Sequence, residues 1–135
     1  MAVSNPYTQY QSNQLNTAGP DKLLLMAYDG AIRFAKIGRE KIRAGILDEK
    51  SMNFGKAQAI IAELTITLDP RPSPELATNL TNLYSYMFNR LTDANINDDV
   101  RAAGEVIEIL TDLRDAWSQA AQTWREQSAQ EELAA

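Results

Sequence analysis

The chain of 135 residues has neither cysteine nor histidine. Without cysteine there is no disulfide framework and no thiolate metal site. Without either residue, nucleophilic catalysis would need a Ser-Lys or Asp-based arrangement, and no spacing suggests one. The six glycines form no phosphate-cradling loop of the P-loop or dinucleotide type. No apolar run approaches the ~20 residues that a membrane span needs. The start, MAVSNPYTQY, lacks the basic and apolar regions of a signal peptide, so a cytoplasmic location is expected. An excess of positive charge is missing too. Net charge is −5 and the pI is near 4.7, which argues against nucleic acid as the main partner. The densest basic stretch holds Arg33, Lys36, Arg39, Lys41 and Arg43. These alternate with Phe34, Ile37 and Ile42, as on the wet side of an amphipathic helix.

What is present is helix. Hydrophobic residues make up 44% of the chain, enough for the core of one domain. Pro20 and Pro74 read as first-turn prolines, with Asp21 and Glu75 near the positive end of a helix dipole. Asp69-Pro70-Arg71-Pro72 can only be a connector. Four helices follow: roughly Pro20–Ala44, Asp48 to before Pro70, Pro74–Ala94, and one starting near Asn97 or Asp98. The first is expected to turn Leu23, Met26, Gly30 and Ile37 inward, and the second Phe54, Ala57, Ile61, Leu64 and Leu68. The third would contribute Leu76, Leu80, Leu83, Met87 and Leu91. On the fourth, Ala103, Val106, Leu110, Leu113, Trp117, Ala120 and Trp124 keep the spacing of a bundle seam, with Leu113 and Trp117 in the core. No run of β-branched residues alternates with period two, so strands are not expected. The fold class is all-α, an antiparallel up-down four-helix bundle over residues 20–127. Residues 1–19 are expected to be a flexible N-terminal segment and residues 128–135 a frayed tail.

Bundles of this kind can hold two metal ions on inward Glu and Glu-x-x-His side chains. Glu105 and Glu108 have the spacing, but they point away from the Trp117 stripe and form an acidic face with Asp112 and Asp115. No enzyme activity, metal or cofactor is expected. Apolar residues nonetheless exceed what a core needs. On the second helix Ala59, Ala62 and Ile66 lie opposite the core face, and Ile109 and Ala116 lie at the margin of the fourth-helix stripe. Spacing leaves two readings open: a shallow trough for another helix or an extended chain, or scattered surface apolars. In Leu83-Tyr84-Ser85-Tyr86-Met87-Phe88, at least one of Tyr84, Tyr86 and Phe88 must be peripheral.

Several stretches, in order, resemble one family. They are Tyr7-Thr8-Gln9-Tyr10, the helix start from Pro20 to Ala31, Leu83-Tyr84-Ser85-Tyr86-Met87 with Arg90-Leu91 and Ala94-Asn95, and Leu113-Arg114-Asp115-Ala116-Trp117. Together they resemble the flagellar secretion chaperone family FliS. Gly19 stands where that family usually has Ser, and Ala27 where it has a large apolar residue. The resemblance implies a cytoplasmic bundle that binds the disordered C-terminal segment of flagellin, prevents early polymerisation and delivers it to the flagellar export gate. The expected contact set is Ala59, Ala62, Ile66, Tyr84, Met87, Ile109 and Ala116. Tyr7, Tyr10 and Leu15 are expected to cover part of that groove and then meet the export gate. A weak homodimer is a further expectation. The alternative is a helical structural or assembly protein that self-associates through its extra apolar face. Membrane insertion is not expected.

Overall fold

A proline at the first helical position lacks an N–H that would have no partner there anyway. Pro20 accordingly opens α1 (Pro20–Ala44) and Pro74 opens α3 (Pro74–Asn97). Ser73 caps α3, its hydroxyl accepting from the Leu76 N–H at 3.2 Å, whereas Gly19 offers α1 no side-chain cap. Helices α2 (Leu47–Ile66) and α4 (Val100–Ala134) complete a computed structural model that describes residues 19–134. The α3–α4 turn differs from expectation. Asn97 ends α3, Asp98 takes a left-handed φ of 52°, and Asp99 caps α4 by accepting from the Arg101 and Ala102 N–H groups. Lys50 of α2, 6% exposed, fastens this turn. Its Nζ donates to the Asn95 carbonyl at 2.7 Å and to Asp98 at 2.6 Å, a cation at the negative end of the α3 dipole.

Short connections make sequential helices antiparallel neighbours, and α4 closes the ring by packing against α1 and α3. Helices α2 and α4 are therefore diagonal. The chain is an all-α antiparallel bundle, as its pattern indicates. The core is built from Tyr28, Ala31, Ala35 and Gly38 on α1, with Phe54, Ala57, Ile61 and Leu64 on α2. Ala77, Leu80, Tyr84, Met87, Leu91 and Ala94 come from α3, and Ala102, Ala103, Val106, Ile107 and Leu110 from α4.

The α1 face is thus shifted from the expected one. Leu23 is exposed, and Met26, Gly30 and Ile37 are only half-buried. On α3, Leu76 is exposed and Leu83 half-buried, and Ala77 and Tyr84 next to them are in the core instead. On α4, Leu113 and Trp117 are half-buried against the core rather than in it, Ala120 is exposed, and Trp124 is 68% exposed. Helix α4 still runs beside α1 over this stretch, where Arg114 meets Asp29 and Arg125 meets Asp21, both at 2.9 Å. With 35 residues against 25 in α1, it overhangs only beyond that last pair. The helix is drawn through Ala134.

A hydrogen-bond chain inside the bundle explains why two tyrosines sit there. The Tyr28 and Tyr84 hydroxyls are 2.5 Å apart, and Trp117 Nε1 donates to the Tyr28 hydroxyl at 3.1 Å. Burial pushes both phenols above their ordinary pKa, and the bond to Tyr28 raises Tyr84 further. Elsewhere packing depends on small residues. A Cβ on Gly38 would lie 2.6 Å from the Phe54 ring, so α1 and α2 can meet only because this position has no side chain.

Gly38→Ala should therefore cost about 1–3 kcal/mol in urea unfolding, as overpacking does. Gly55→Ala, where an added Cβ meets nothing within 4 Å, should stabilise by about 0.5–1 kcal/mol. The tyrosine pair predicts a pH dependence. Above the ordinary value of 10.0 the unfolded chain releases phenolic protons that the folded chain retains. The stabilising contribution is complete below that pH and is lost as pH rises toward the raised folded values. Urea unfolding at about pH 8 and about pH 11 should show a larger loss for the parent than for Tyr28→Phe/Tyr84→Phe. Equal losses would contradict the coupling.

Candidate functional site

Helix α2 has a neighbour on each side, and each junction leaves an outward-facing valley. Between α2 and α3 lies a groove of about 380 Å³. Its floor is Ile61 and the Tyr84 ring, both buried, and the buried hydroxyl chain below holds that ring in place. Ala62, Thr65, Thr81 and Ser85 keep the walls low, while Ile66 and Phe88 form apolar edges. Ile66 is 77% exposed, a large apolar side chain with almost nothing covering it. At one end Gln58 closes the valley, donating to the Phe88 carbonyl at 3.0 Å and to the Thr92 hydroxyl at 2.8 Å. Past Thr81 the surface continues over Pro70 of the connector and Pro74 at the start of α3. There Asp69 accepts from Arg71, which holds its carboxyl below the usual range.

The groove gathers three of the expected residues, Ala62, Ile66 and Tyr84. Ala59 is exposed on α2 but outside the groove lining. Met87 is fully buried and presents no surface. Ile109 and Ala116 belong to α4, diagonal to α2, so they cannot form the opposite wall. Helix α3 supplies that wall with Thr81, Ser85 and Phe88. The short α2–α3 connection was the signal for this, because it makes those two helices neighbours. Tyr7, Tyr10 and Leu15 lie outside the described residues.

Of the aromatic run, Tyr84 is buried, whereas Tyr86 and Phe88 are exposed. The Tyr86 hydroxyl donates to Glu105, which pushes its pKa up, and Arg90 meets Glu105 at 3.5 Å and Asp93 at 3.3 Å. Glu105 is therefore used in joining α3 to α4, while Glu108 is exposed. Among the described residues no group of three acidic residues is placed to hold a metal ion, and no helix is long and apolar enough to cross a membrane.

The α1/α2 valley is larger, about 560 Å³, and is lined by Pro20, Leu23, Leu24, Ala27, Ile60, Glu63, Leu64 and Thr67. Small side chains create it. Ala27 leaves the space open, and the helices close up at Gly30, where a Cβ would approach Ile60 to 3.2 Å.

Comparison with known proteins gives one answer. The family model for the flagellar protein FliS matches residues 3–124. The flagellar secretion chaperone FliS of Bacillus subtilis is 43% identical over 93% of this chain and 92% of its own length. Its namesake from Vibrio cholerae is 35% identical over 79% of each chain, and that from Salmonella typhimurium 36% identical over 76% of this chain and 77% of its own. A crystal structure of a bacterial flagellar chaperone superposes with a TM-score of 0.73 at 21% identity, covering 87% of this chain and 95% of the other, which supports the fold. The four-helix architecture and the match along nearly the whole sequence lead to one conclusion: this chain belongs to the FliS family of flagellar proteins.

Proposed function

We propose that this chain is a cytoplasmic export chaperone that holds the disordered C-terminal segment of flagellin in the α2/α3 groove. So held, the client cannot polymerise early, and the pair is delivered to the flagellar export gate. The carrying observation is Ile66, 77% exposed beside Ala62 and Phe88 over a floor that is already rigid. A monomer would gain by covering such a surface with an amphipathic segment. The relatives' role as flagellar secretion chaperones supports the reading. Ordering a disordered client offsets much of the contact energy, which keeps the complex releasable.

Residues 1–18, with Tyr7, Tyr10 and Leu15, complete the proposal as a cover for the groove. Eighteen extended residues reach about 60 Å, ample to cross α2 from Gly19. A cover lowers apparent affinity by the fraction of time the groove is closed. Once displaced, the tyrosines become available to the export gate. A weak homodimer is the second reading, favoured by Trp124 and Leu133, both exposed on the last part of α4.

Ile66→Glu should keep full helicity and weaken a flagellin C-terminal peptide by about 1 kcal/mol or more in calorimetry. Equal affinity would remove the client from this groove. Deleting residues 1–18 should keep the helical content and raise affinity for that peptide several-fold. A truncated chain that binds no better has lost no cover. Sedimentation over a dilution series checks the dimer, which Trp124→Ala should weaken.

A further inference from the structure

Helix α1 starts in the wall of the α1/α2 valley. Pro20, its first residue, lines that cavity of about 560 Å³ with Leu23, Leu24 and Ala27, and α2 supplies Ile60 and Leu64 opposite. Glu63 is the one charged residue in the lining. Leu23 is exposed, and Leu24, Ala27 and Ile60 are only half-buried, so an apolar trough stands open where the described chain begins. Gly19 is extended, with φ −68° and ψ 164°, so the chain does not reach Pro20 as a continuation of the helix.

The residues that precede Gly19 suit this trough. Residues 1–18 contain no charged side chain, and within 11–18, QSNQLNTA, Leu15 is the only large apolar residue. Its neighbours Gln14, Asn16 and Thr17 carry uncharged donors that can stay at the wet rim beside Glu63 while the leucine goes in. Pro20 also borders a smaller hollow between α1 and α4, with Ala121 and Trp124. Asp21 and Arg125 line that one and pair at 2.9 Å, so an uncharged segment gains less there.

Reach separates the two valleys beside α2. From Gly19 to Leu15 the chain spans at most about 14 Å. The α1/α2 valley follows α1 from Pro20 to Ala27, about 10 Å of helix, so Leu15 can reach all of it. The client groove lies on the far side of the same stretch of α2, where Ile61, Ala62 and Ile66 face α3. Half-way round a helix about 10 Å across is about 16 Å, and the chain must first leave α1. Leu15 falls short of that groove. Tyr10, about 30 Å from Gly19 at full stretch, does not.

We infer that Leu15 is seated in the α1/α2 valley, against Ala27, Ile60 and Leu64, and anchors there the cover whose tyrosines reach the client groove. The role as anchor rests on the cover proposed above, whereas the seat of Leu15 does not. Once Leu15 is seated, Tyr10 is tethered from the near side of α2 rather than from Gly19. The shorter tether raises the local concentration of the tyrosines at the groove.

The test is a methyl NOE spectrum of the full chain without client, with Leu, Ile and Ala methyls labelled. Leu15 should show cross-peaks to Ala27, Ile60 and Leu64. Ala27→Leu, which fills the valley from within, should remove them and move the Leu15 methyls to the shifts of an exposed leucine, with helicity unchanged. Leu15→Ser should shift the Ala27 and Ile60 methyls. It should also raise flagellin-peptide affinity about twofold or more, short of the gain from deleting residues 1–18. Cross-peaks from Leu15 to Ala121, to Ile66 or to no residue of the bundle overturn the proposal. So do cross-peaks seen only between differently labelled chains in a mixed sample, which would give the valley to a second copy. Valley cross-peaks with unchanged peptide affinity in Leu15→Ser overturn the anchor. A parent that binds no flagellin peptide would sink the chaperone reading alone, because the contacts of Leu15 are measured without it.

Discussion

Two tyrosine hydroxyls and an indole N–H meet inside the bundle, contributed by three different helices. A buried phenol without a partner costs more than a made hydrogen bond returns, so the pairing constrains as much as it stabilises. Much of the surrounding core is alanine: Ala31, Ala35, Ala57, Ala94, Ala102 and Ala103. Small, similar side chains pack acceptably in more than one register. Sliding α1 by a turn past α3 or α4 would keep most of that apolar contact and strand the polar groups. The hydroxyl chain thus selects one alignment from several that hydrophobic burial alone would permit.

That alignment has an effect at the surface. The Tyr84 ring whose hydroxyl is pinned inside is also the floor of the α2/α3 groove. A floor that does not move presents its shape before any occupant arrives, so less ordering is left to be done on binding. On the other side of α2, Gly38 lets Phe54 in against α1, and the helices separate toward Ala27 and Pro20. One helix pair is close-packed at one end and open at the other because of where its smallest residues fall.

The helix count, the prolines that open α1 and α3 and the α2 core face from Phe54 to Leu64 were legible in the sequence because proline placement and apolar spacing are local properties. The α1 face was not. Leu23, Met26, Gly30 and Ile37 fit a helical stripe about as well as Tyr28, Ala31, Ala35 and Gly38, and spacing favours whichever stripe carries the larger aliphatics. Only a partner for the Tyr28 hydroxyl, 56 residues away in sequence, makes the second stripe the buried one. The groove was half legible for a similar reason. The outward apolar residues of α2 can be read from spacing, but the opposite wall depends on which helices are adjacent and which diagonal. Ile109 and Ala116 were plausible on their own helix and lie on the wrong one.

Charge placement separates the junctions of α2 from those of α4. Along α1/α4, Arg114 meets Asp29 and Arg125 meets Asp21, both at 2.9 Å. Along α3/α4, Arg90 and Tyr86 converge on Glu105. Long charged side chains lying across a junction cover apolar surface with their stems even when the ion pair itself adds little. The α2 junctions have such pairs only at the end where the helix begins, Lys41 with Glu49 and Lys50 with Asp98. Further along, both junctions are apolar and open, apart from the neutral Gln58 bridge. The two valleys beside α4 are bridged by charge, and the two beside α2 stay open along most of their length.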